Sequence, residues 1–262
     1  MNTNFIGIFD SGLGGTSIWQ EVIKLMPNES TLYLADSKNA PYGHKSKEEI
    51  IALSIKNTEF LISKGCKLII VACNTSTTNA ISILRNKYTI PFIGIEPAIK
   101  PAALNTKTKN VGVLATKGTL TSTLFHETST KYYDTINKIE VDGEGLVQLI
   151  ESGNINSSEV EDLLKKCIKP MLKHNIDSLV LGCTHYPYLI PQIKKIVGSK
   201  VTIIDSGSAV AKQTQSILSK NNLLNKTIKP VDYTFITNGN KSTLKNLLKH
   251  IKAPILIKQH DF

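Results

Sequence analysis

The order of segments along this 262-residue chain predicts an α/β fold. It consists of two pseudo-symmetric lobes, each a mostly parallel sheet flanked by helices, with the active site between the lobes. Three observations lead there. Short β-branched runs alternate with longer amphipathic ones, the alternation restarts at "NVGVLAT" (110–116), and three segments of the first half recur in the second. "IGIFDSGLGGTS" matches "VGVLATKGTLTS", "LIIVACNTS" matches "LVLGCTHYP" and "PFIGIEPA" matches "VTIIDSGSA", at offsets of 105 (Ile6 against Val111) to 110 (Cys73 against Cys183). One such match is within reach of chance. Three in order, with a cysteine at the same place, favour a duplicated unit.

In chain order, "NFIGIFD" is a strand, "TSIWQEVIKLM" an amphipathic helix and "STLYLAD" the next strand. "SKEEIIALSIKNTEFLISKG" is a long helix, "CKLIIVAC" a strand, "TTNAISILRNKY" a helix and "IPFIGIE" a strand. Pro97 and Pro101 mark the crossing into the second unit. There "NVGVLAT", "FHETSTKYY", "KIEVDG", "SSEVEDLLKKCIKPMLKHN", "SLVLGC" and "SKVTIIDSG" follow in the same order. From Ser208 onward the chain suits either lobe.

Composition narrows the class. A hydrophobic fraction of 41% with 20% charged residues is that of a soluble globular protein. No apolar run approaches the roughly 18 residues of a membrane span. The start "MNTNFIGIFD" lacks the basic opening and long apolar centre of a secretory signal, so a cytoplasmic location is expected. Cys66, Cys73, Cys167 and Cys183 are too far apart for a CxxC pair, so free thiols are expected. The net charge of +10 raises nucleic acid as a partner, but Arg85 is the only arginine among 31 basic residues. Arginine makes the bidentate contacts that read bases and phosphates, so its scarcity argues against that partner. Lys241, Lys245 and Lys249 at i, i+4 spacing read as a solvated helix face.

Ligands of parallel α/β sheets bind beyond the carboxyl ends of the strands, and Cys73 and Cys183 both sit there. Each precedes a residue of capping type, Asn74 or Thr75 after the first and Thr184 after the second. A helix is therefore expected to start beyond each thiol, with N–H groups that favour a thiolate or hold a carboxylate. Cys66 and Cys167 read as buried structural cysteines. Two thiols on facing lobes suit a carbon acid: one removes a proton from one face, the other returns a proton to the opposite face, and the stereocentre inverts without a cofactor. His185 is placed to exchange a proton with Cys183, and Asp10 with Cys73. The turn "PYGHK" makes Pro41, Tyr42 and Gly43 candidate binding positions through its N–H groups. Gly12, Gly14 and Ser17, with Asp36 ending the next strand, offer a rival dinucleotide reading, which lacks the third glycine and leaves the paired cysteines unexplained. His44, His126, His174, His250 and His260 have no ligand-like spacing, so no metal site is expected.

"GIFDSGLGGTS", "LADSKNAPYGHKS", "LIIVACNTST", "GIEPA", "GVLATKGTLTS", "LVLGCTHYP" and "IDSGSA", in this order, resemble the glutamate racemases of the cofactor-independent aspartate/glutamate racemase superfamily. The resemblance implies lobes of residues 1–97 plus 208–262 and 98–207, with glutamate between them and no cofactor. It implies that Cys73 acts on the D isomer and Cys183 on the L isomer. Substrate-binding pairs are then Asp10-Ser11, Tyr42-Gly43, Asn74-Thr75 and Thr184-His185, with Thr116 and Thr119 near the carboxylates and Asp36 and Glu151 as acidic support. It also implies a homodimer and a supply of D-glutamate for peptidoglycan. Two departures stand out: Gly143-Glu144 replaces a frequent Cys-Pro pair, and Phe125 stands where tyrosine is frequent. The nearest alternative is a racemase of aspartate or another amino acid; a more distant one is a nucleic-acid-associated protein.

Overall fold

A computed structural model describes residues 5–130, 135–225 and 230–262. Position 4 of the first expected strand and positions 131–133 of "FHETSTKYY" lie outside the described residues. The strands are β1 (Ile6–Asp10), β2 (Thr31–Ala35), β3 (Leu68–Val71), β4 (Phe92–Gly94), β5 (Asn110–Ala115), β6 (Asn137–Asp142), β7 (Ser178–Gly182), β8 (Thr202–Ile204), β9 (Tyr233–Thr237) and β10 (Ile255–Gln259). The helices are α1 (Thr16–Leu25), α2 (Lys47–Ser63), α3 (Asn74–Lys87), α4 (Ile99–Asn105), α5 (Lys117–Leu120), α6 (Thr123–Thr130), α7 (Leu146–Glu151), α8 (Ser158–Lys173), α9 (Ile190–Val197), α10 (Gly207–Lys220) and α11 (Lys241–Leu248).

Two sheets result, in the orders β10-β9-β2-β1-β3-β4 and β6-β5-β7-β8, and every pairing is parallel. The run β2-β1-β3-β4 repeats as β6-β5-β7-β8, so the duplication read from the sequence is also a duplication of topology. The C-terminal strands extend the first sheet, β9 pairing with β2 and β10 with β9. A strand covered on both faces reads as a continuous apolar run rather than an alternating one, which is why "IGIFD" and "LIIV" are buried along their whole length. Ile6 and Ile8 point into the core shared with Trp19, Val22, Val210 and Phe235. Phe9 points to the opposite face, against Leu61, Ile81 and Leu84 of α2 and α3. In the second lobe Leu179 and Leu181 pack on α8 and α9, while Val180 packs towards Ile99, Ala102 and Phe125.

Local chemistry fixes the helix ends. The Ser46 side chain accepts from the Glu49 N–H and the Glu49 carboxylate accepts from the Ser46 N–H, so α2 opens on a capping box. Phe125, which has no hydroxyl, is a core residue with the Lys138 Nζ 5.3 Å from its ring centre. Among the described residues no helix is long and apolar enough to cross a membrane. What matters for the site is the strand order. The connections leave β1 and β3, and equally β5 and β7, on opposite sides, which opens a crevice at the carboxyl ends of those four strands.

Candidate active site

Cys73 follows β3 and is itself the cap of α3, its sulfur accepting the Ser76 N–H at 3.4 Å. The expected caps, Asn74 and Thr75, are instead the first residues of the helix. That correction has a consequence. Asn74 is 3% exposed, yet neither its amide nitrogen nor its oxygen has a partner within the protein. The Cys73 thiol donates to Ser11 Oγ at 3.5 Å. Burial, helped by the Asp10 charge, pushes this thiol up to about 11, so it keeps its proton at neutral pH.

Asp10 closes β1 and is fully buried. Its Oδ2 accepts the Gly15 N–H at 2.9 Å and the Gly12 N–H at 3.3 Å, while Oδ1 accepts from Thr184 Oγ1 of the other lobe at 3.4 Å. Burial raises its pKa to about 6, against the lowering pull of His185 and these backbone donors. The carboxylate thus occupies the N-terminal end of α1 where a dinucleotide would place its pyrophosphate, and the dinucleotide reading fails there.

Cys183 follows β7, but no α-helix starts directly after it. A 3-10 turn, Tyr186–Leu189, intervenes before α9. Pro187 and Pro191, which lack the N–H an inner helical turn needs, both fall at early positions of those elements. His185 fills the place a helix N-terminus was expected to take. Its Nδ1 lies 3.7 Å from Cys183 Sγ and its Nε2 2.5 Å from Glu151 Oε1. Burial disfavours charge on the ring, but hydrogen bonds with Cys183 and Glu151 outweigh it and hold the pKa well above the usual histidine value. Both ring nitrogens therefore carry protons: Nε2–H donates to Glu151 and Nδ1–H to the Cys183 sulfur. The Gly14 N–H, 3.2 Å from Nε2, is then a close approach rather than a donor to it.

Glu151 ends α7 of the second lobe and reaches the first, where it accepts the Leu13 N–H at 2.5 Å and the Ser37 hydroxyl at 2.9 Å. This explains the glycines of "GLGG" by packing between the lobes rather than by a dinucleotide loop. A Cβ on Gly12 would lie 2.0 Å from Glu151 Oε1, and one on Gly14 2.3 Å from His185 Nδ1. The glycines admit two side chains of the opposite lobe. Gly14→Ala is accordingly expected to lower kcat/KM at least about 100-fold by displacing His185, since an ångström of misplacement costs about that much. Steady-state kinetics check this, and a variant within threefold of the parent refutes the packing argument. The Gly143 departure has a similar cause: a Cβ there would lie 2.3 Å from the Tyr186 hydroxyl, and Gly145, at φ 85°, opens α7.

A small cavity with room for about one water molecule lies between the lobes. Cys73 and Cys183 both line it, as do Ser11, Pro41, Tyr42, Gly43, Asn74, Thr75, Thr116, Thr184 and His185. Val147 of α7 also lines it and was missed in the sequence, where it reads as one more apolar helix residue. Asp10, Thr119, Asp36 and Glu151 stand behind this lining. Thr119 lies within 3.4 Å of Thr75 and 3.2 Å of Thr116, forming a hydroxyl cluster across the lobes. Asp36 accepts from the Tyr42 hydroxyl, from Asn39 at 2.8 Å and from Asn238 at 2.5 Å, so it anchors the Tyr42 turn. Asn57 donates to Tyr42 at 3.2 Å; neither it nor Asn238 was singled out from the sequence. Cys66 and Cys167 are buried outside the cavity. Among the described residues no three His, Cys, Asp or Glu side chains are grouped to hold a metal ion.

The family described as Asp/Glu/hydantoin racemase matches residues 14–214. The chain belongs to this family. Within it, the chain is 43% identical over 234 residues to a glutamate racemase of Herpetosiphon aurantiacus, covering 89% of this chain and 92% of that protein. In three dimensions it is similar to a Bacillus anthracis glutamate racemase, with a TM-score of 0.89, 31% identity and coverage of 100% and 99% of the two chains. A Francisella tularensis glutamate racemase solved with D-glutamate gives a TM-score of 0.84, 30% identity and coverage of 100% and 98%. These two-sheet racemases share the architecture that sets the crevice of this family member between its lobes.

Proposed function

We propose that this protein is a glutamate racemase that interconverts L- and D-glutamate by proton transfer between two thiols. The observation that carries it is that Cys73 and Cys183, one from each lobe, line a single small cavity. The α-proton of an amino acid is weakly acidic, so the site has to take the proton from one face and supply another from the opposite face while holding developing negative charge. The Cys183 sulfur, facing the His185 imidazolium, removes the proton of L-glutamate; Cys73, which keeps its proton at neutral pH, delivers one to the other face. The product is D-glutamate, with the proton now on Cys183 and the charge on Cys73, and the reverse reaction or exchange with solvent restores the start. Asp10 and His185 are the acid/base partners of the two thiols. Water exclusion follows from the small cavity, and substrate access requires the lobes to part.

Specificity for glutamate over aspartate is part of the proposal, supported by the names of the relatives. Ser11, Asn74, Thr75, Thr116 and Thr184, with the Tyr42-Gly43 turn, hold the zwitterion and the second carboxylate. Asn74 supplies a specific expectation. Its side chain is buried without partners, so Asn74→Leu relieves an unsatisfied polar group while removing a binding contact. The variant is expected to melt no lower than the parent and to have a KM raised at least about tenfold. Unchanged KM would remove Asn74 from the binding set.

Division into residues 1–97 plus 208–262 and 98–207, assembly as a homodimer and a supply of D-glutamate for peptidoglycan belong to the same reading. All four cysteines are free thiols, which fits a reducing cytoplasm. The test is incubation with L-glutamate, and separately L-aspartate, in D2O, following optical rotation and α-deuterium together. Loss of glutamate rotation with deuterium uptake supports the proposal; activity on aspartate alone moves the specificity, and no exchange on either refutes it.

A further inference from the structure

Outside the lining of the cavity that holds the two thiols, a second set of polar groups joins the lobes. Thr16 opens α1, five residues after Ser11. Its hydroxyl donates to Leu13 O at 2.6 Å, which leaves its oxygen to accept from the Tyr188 hydroxyl at 2.5 Å. Tyr188 is in the 3-10 turn that follows Cys183, Thr184 and His185. Its oxygen in turn accepts from Gln20 Nε2 at 3.2 Å, and Gln20 Oε1 pairs with His250 Nε2 at 3.3 Å. In the first turn of α1, Ser17 Oγ donates to the Thr184 carbonyl at 2.9 Å. Every proton in the row has one direction. The row ends at Leu13, whose N–H reaches Glu151, so it is continuous with the bonds that hold His185.

We propose that Tyr188 is a positioning residue: its hydroxyl clasps the segment carrying Cys183, Thr184 and His185 against α1 and holds the lobes in the closed arrangement. The inference rests on the glutamate racemase reading, which supplies the reaction that closure serves. Three features separate a clasp from ordinary core packing. The bonded atoms belong to different lobes. The pair is hydroxyl to hydroxyl, which an apolar core does not require. The Tyr188 ring also borders a cavity lined by Ser17, Gln20, Glu21, Asp205 and His250, so one side of it is not packed in and it has space to leave Thr16 when the lobes part. Tyr188 touches no cavity surface around the two thiols, so it acts through the position of its neighbours.

The test is a double-mutant cycle on the whole protein with Tyr188→Phe and Thr16→Val, and Thr16→Ser as the variant that retains the hydroxyl. Each of the first two is expected to raise the KM for glutamate about five- to tenfold with kcat changed less than about twofold, since weaker closure lowers the apparent affinity of a site that must shut. The double variant is expected to be no worse than either single one, and Thr16→Ser to stay within about twofold of the parent. The limbs of the pH profile are expected to stay in place, because no titrating group of the site is altered. Multiplying effects in the double variant, a Tyr188→Phe KM within twofold of the parent, or a moved pH limb would each overturn the clasp. Amide hydrogen exchange without substrate is a separate reading. Faster exchange at residues 13–17 and 185–189 in Tyr188→Phe, at an unchanged melting temperature, supports the clasp even if the parent fails to racemise glutamate. Unchanged exchange overturns it.

Discussion

Replacing either Cys73 or Cys183 with alanine is expected to reduce the rate of glutamate inversion at least about 1,000-fold, because each removes a whole proton-transfer step and such steps contribute roughly 10² to 10⁴. The two variants should then differ in what survives. In Cys183→Ala, Cys73 still faces one side of the α-carbon and is expected to exchange the α-proton of D-glutamate with solvent while leaving the configuration intact. In Cys73→Ala, Cys183 with its His185 partner is expected to do the same for L-glutamate. The measurement is α-deuterium content beside optical rotation, for each enantiomer and each variant, in D2O under reducing conditions. Retention of inversion in either single variant would sink the two-thiol mechanism. Exchange of both enantiomers by one variant would sink the assignment of one thiol to each face. The residual exchange of Cys183→Ala is expected to be the slower of the two, because Cys73 holds its proton up to about 11 and has no imidazolium beside it.

The architecture was legible because parallel strands buried on both faces announce themselves as continuous apolar runs, and because the duplication put two cysteines at matching strand ends. The repeat also supplied the facing arrangement of the lobes. What stayed illegible shares one property: its cause lies far away along the chain. Gly12 and Gly14 look like a ligand loop, but the space they leave is filled by Glu151 and His185, and the Leu13 to Glu151 bond spans 138 positions. The Thr16 to Tyr188 bond spans 172. The assignment of caps failed for a local reason. A residue such as Asn74 satisfies the rules for capping a helix, and those rules do not register that the sulfur before it also accepts an N–H, which leaves the amide to the cavity. Thr184 failed similarly: it has capping chemistry, but two prolines downstream favour a 3-10 turn, and its hydroxyl is used on Asp10.

Asp10→Asn is expected to make the protein more stable near pH 8 and much less active. The carboxyl is fully buried and its pKa lies near 6 in the fold against 3.8 for the free group. A raised carboxyl pKa means that the native state holds the proton more tightly than the unfolded chain does. Stability from this group is therefore greatest below pH 3.8, falls as pH rises towards 6, and stays low above it. A shift of about two units corresponds to a penalty on the order of 3 kcal/mol above pH 6. Asparagine carries no charge to bury, but it offers one acceptor oxygen where the carboxylate offered two, and a lost hydrogen bond returns about 1 kcal/mol. The net gain is about 2 kcal/mol, which for a chain of this size raises the melting temperature by roughly 4–8 °C at pH 8. At pH 4 the gain is expected to vanish. Activity moves the other way: kcat/KM is expected to fall about 100-fold or more, and an acid limb near pH 6 present in the parent should disappear with the titrating group. Melting curves at pH 4 and pH 8, beside pH–rate profiles of both proteins, check the pair of effects. A variant that melts lower at pH 8, or keeps the limb, would mean that the Asp10 carboxylate is held for its backbone bonds to Gly12 and Gly15 rather than for proton transfer. The ionised form would then be a structural cap. If both effects appear, the site retains a buried charge that its fold would be more stable without, because the reaction uses the proton that this charge accepts.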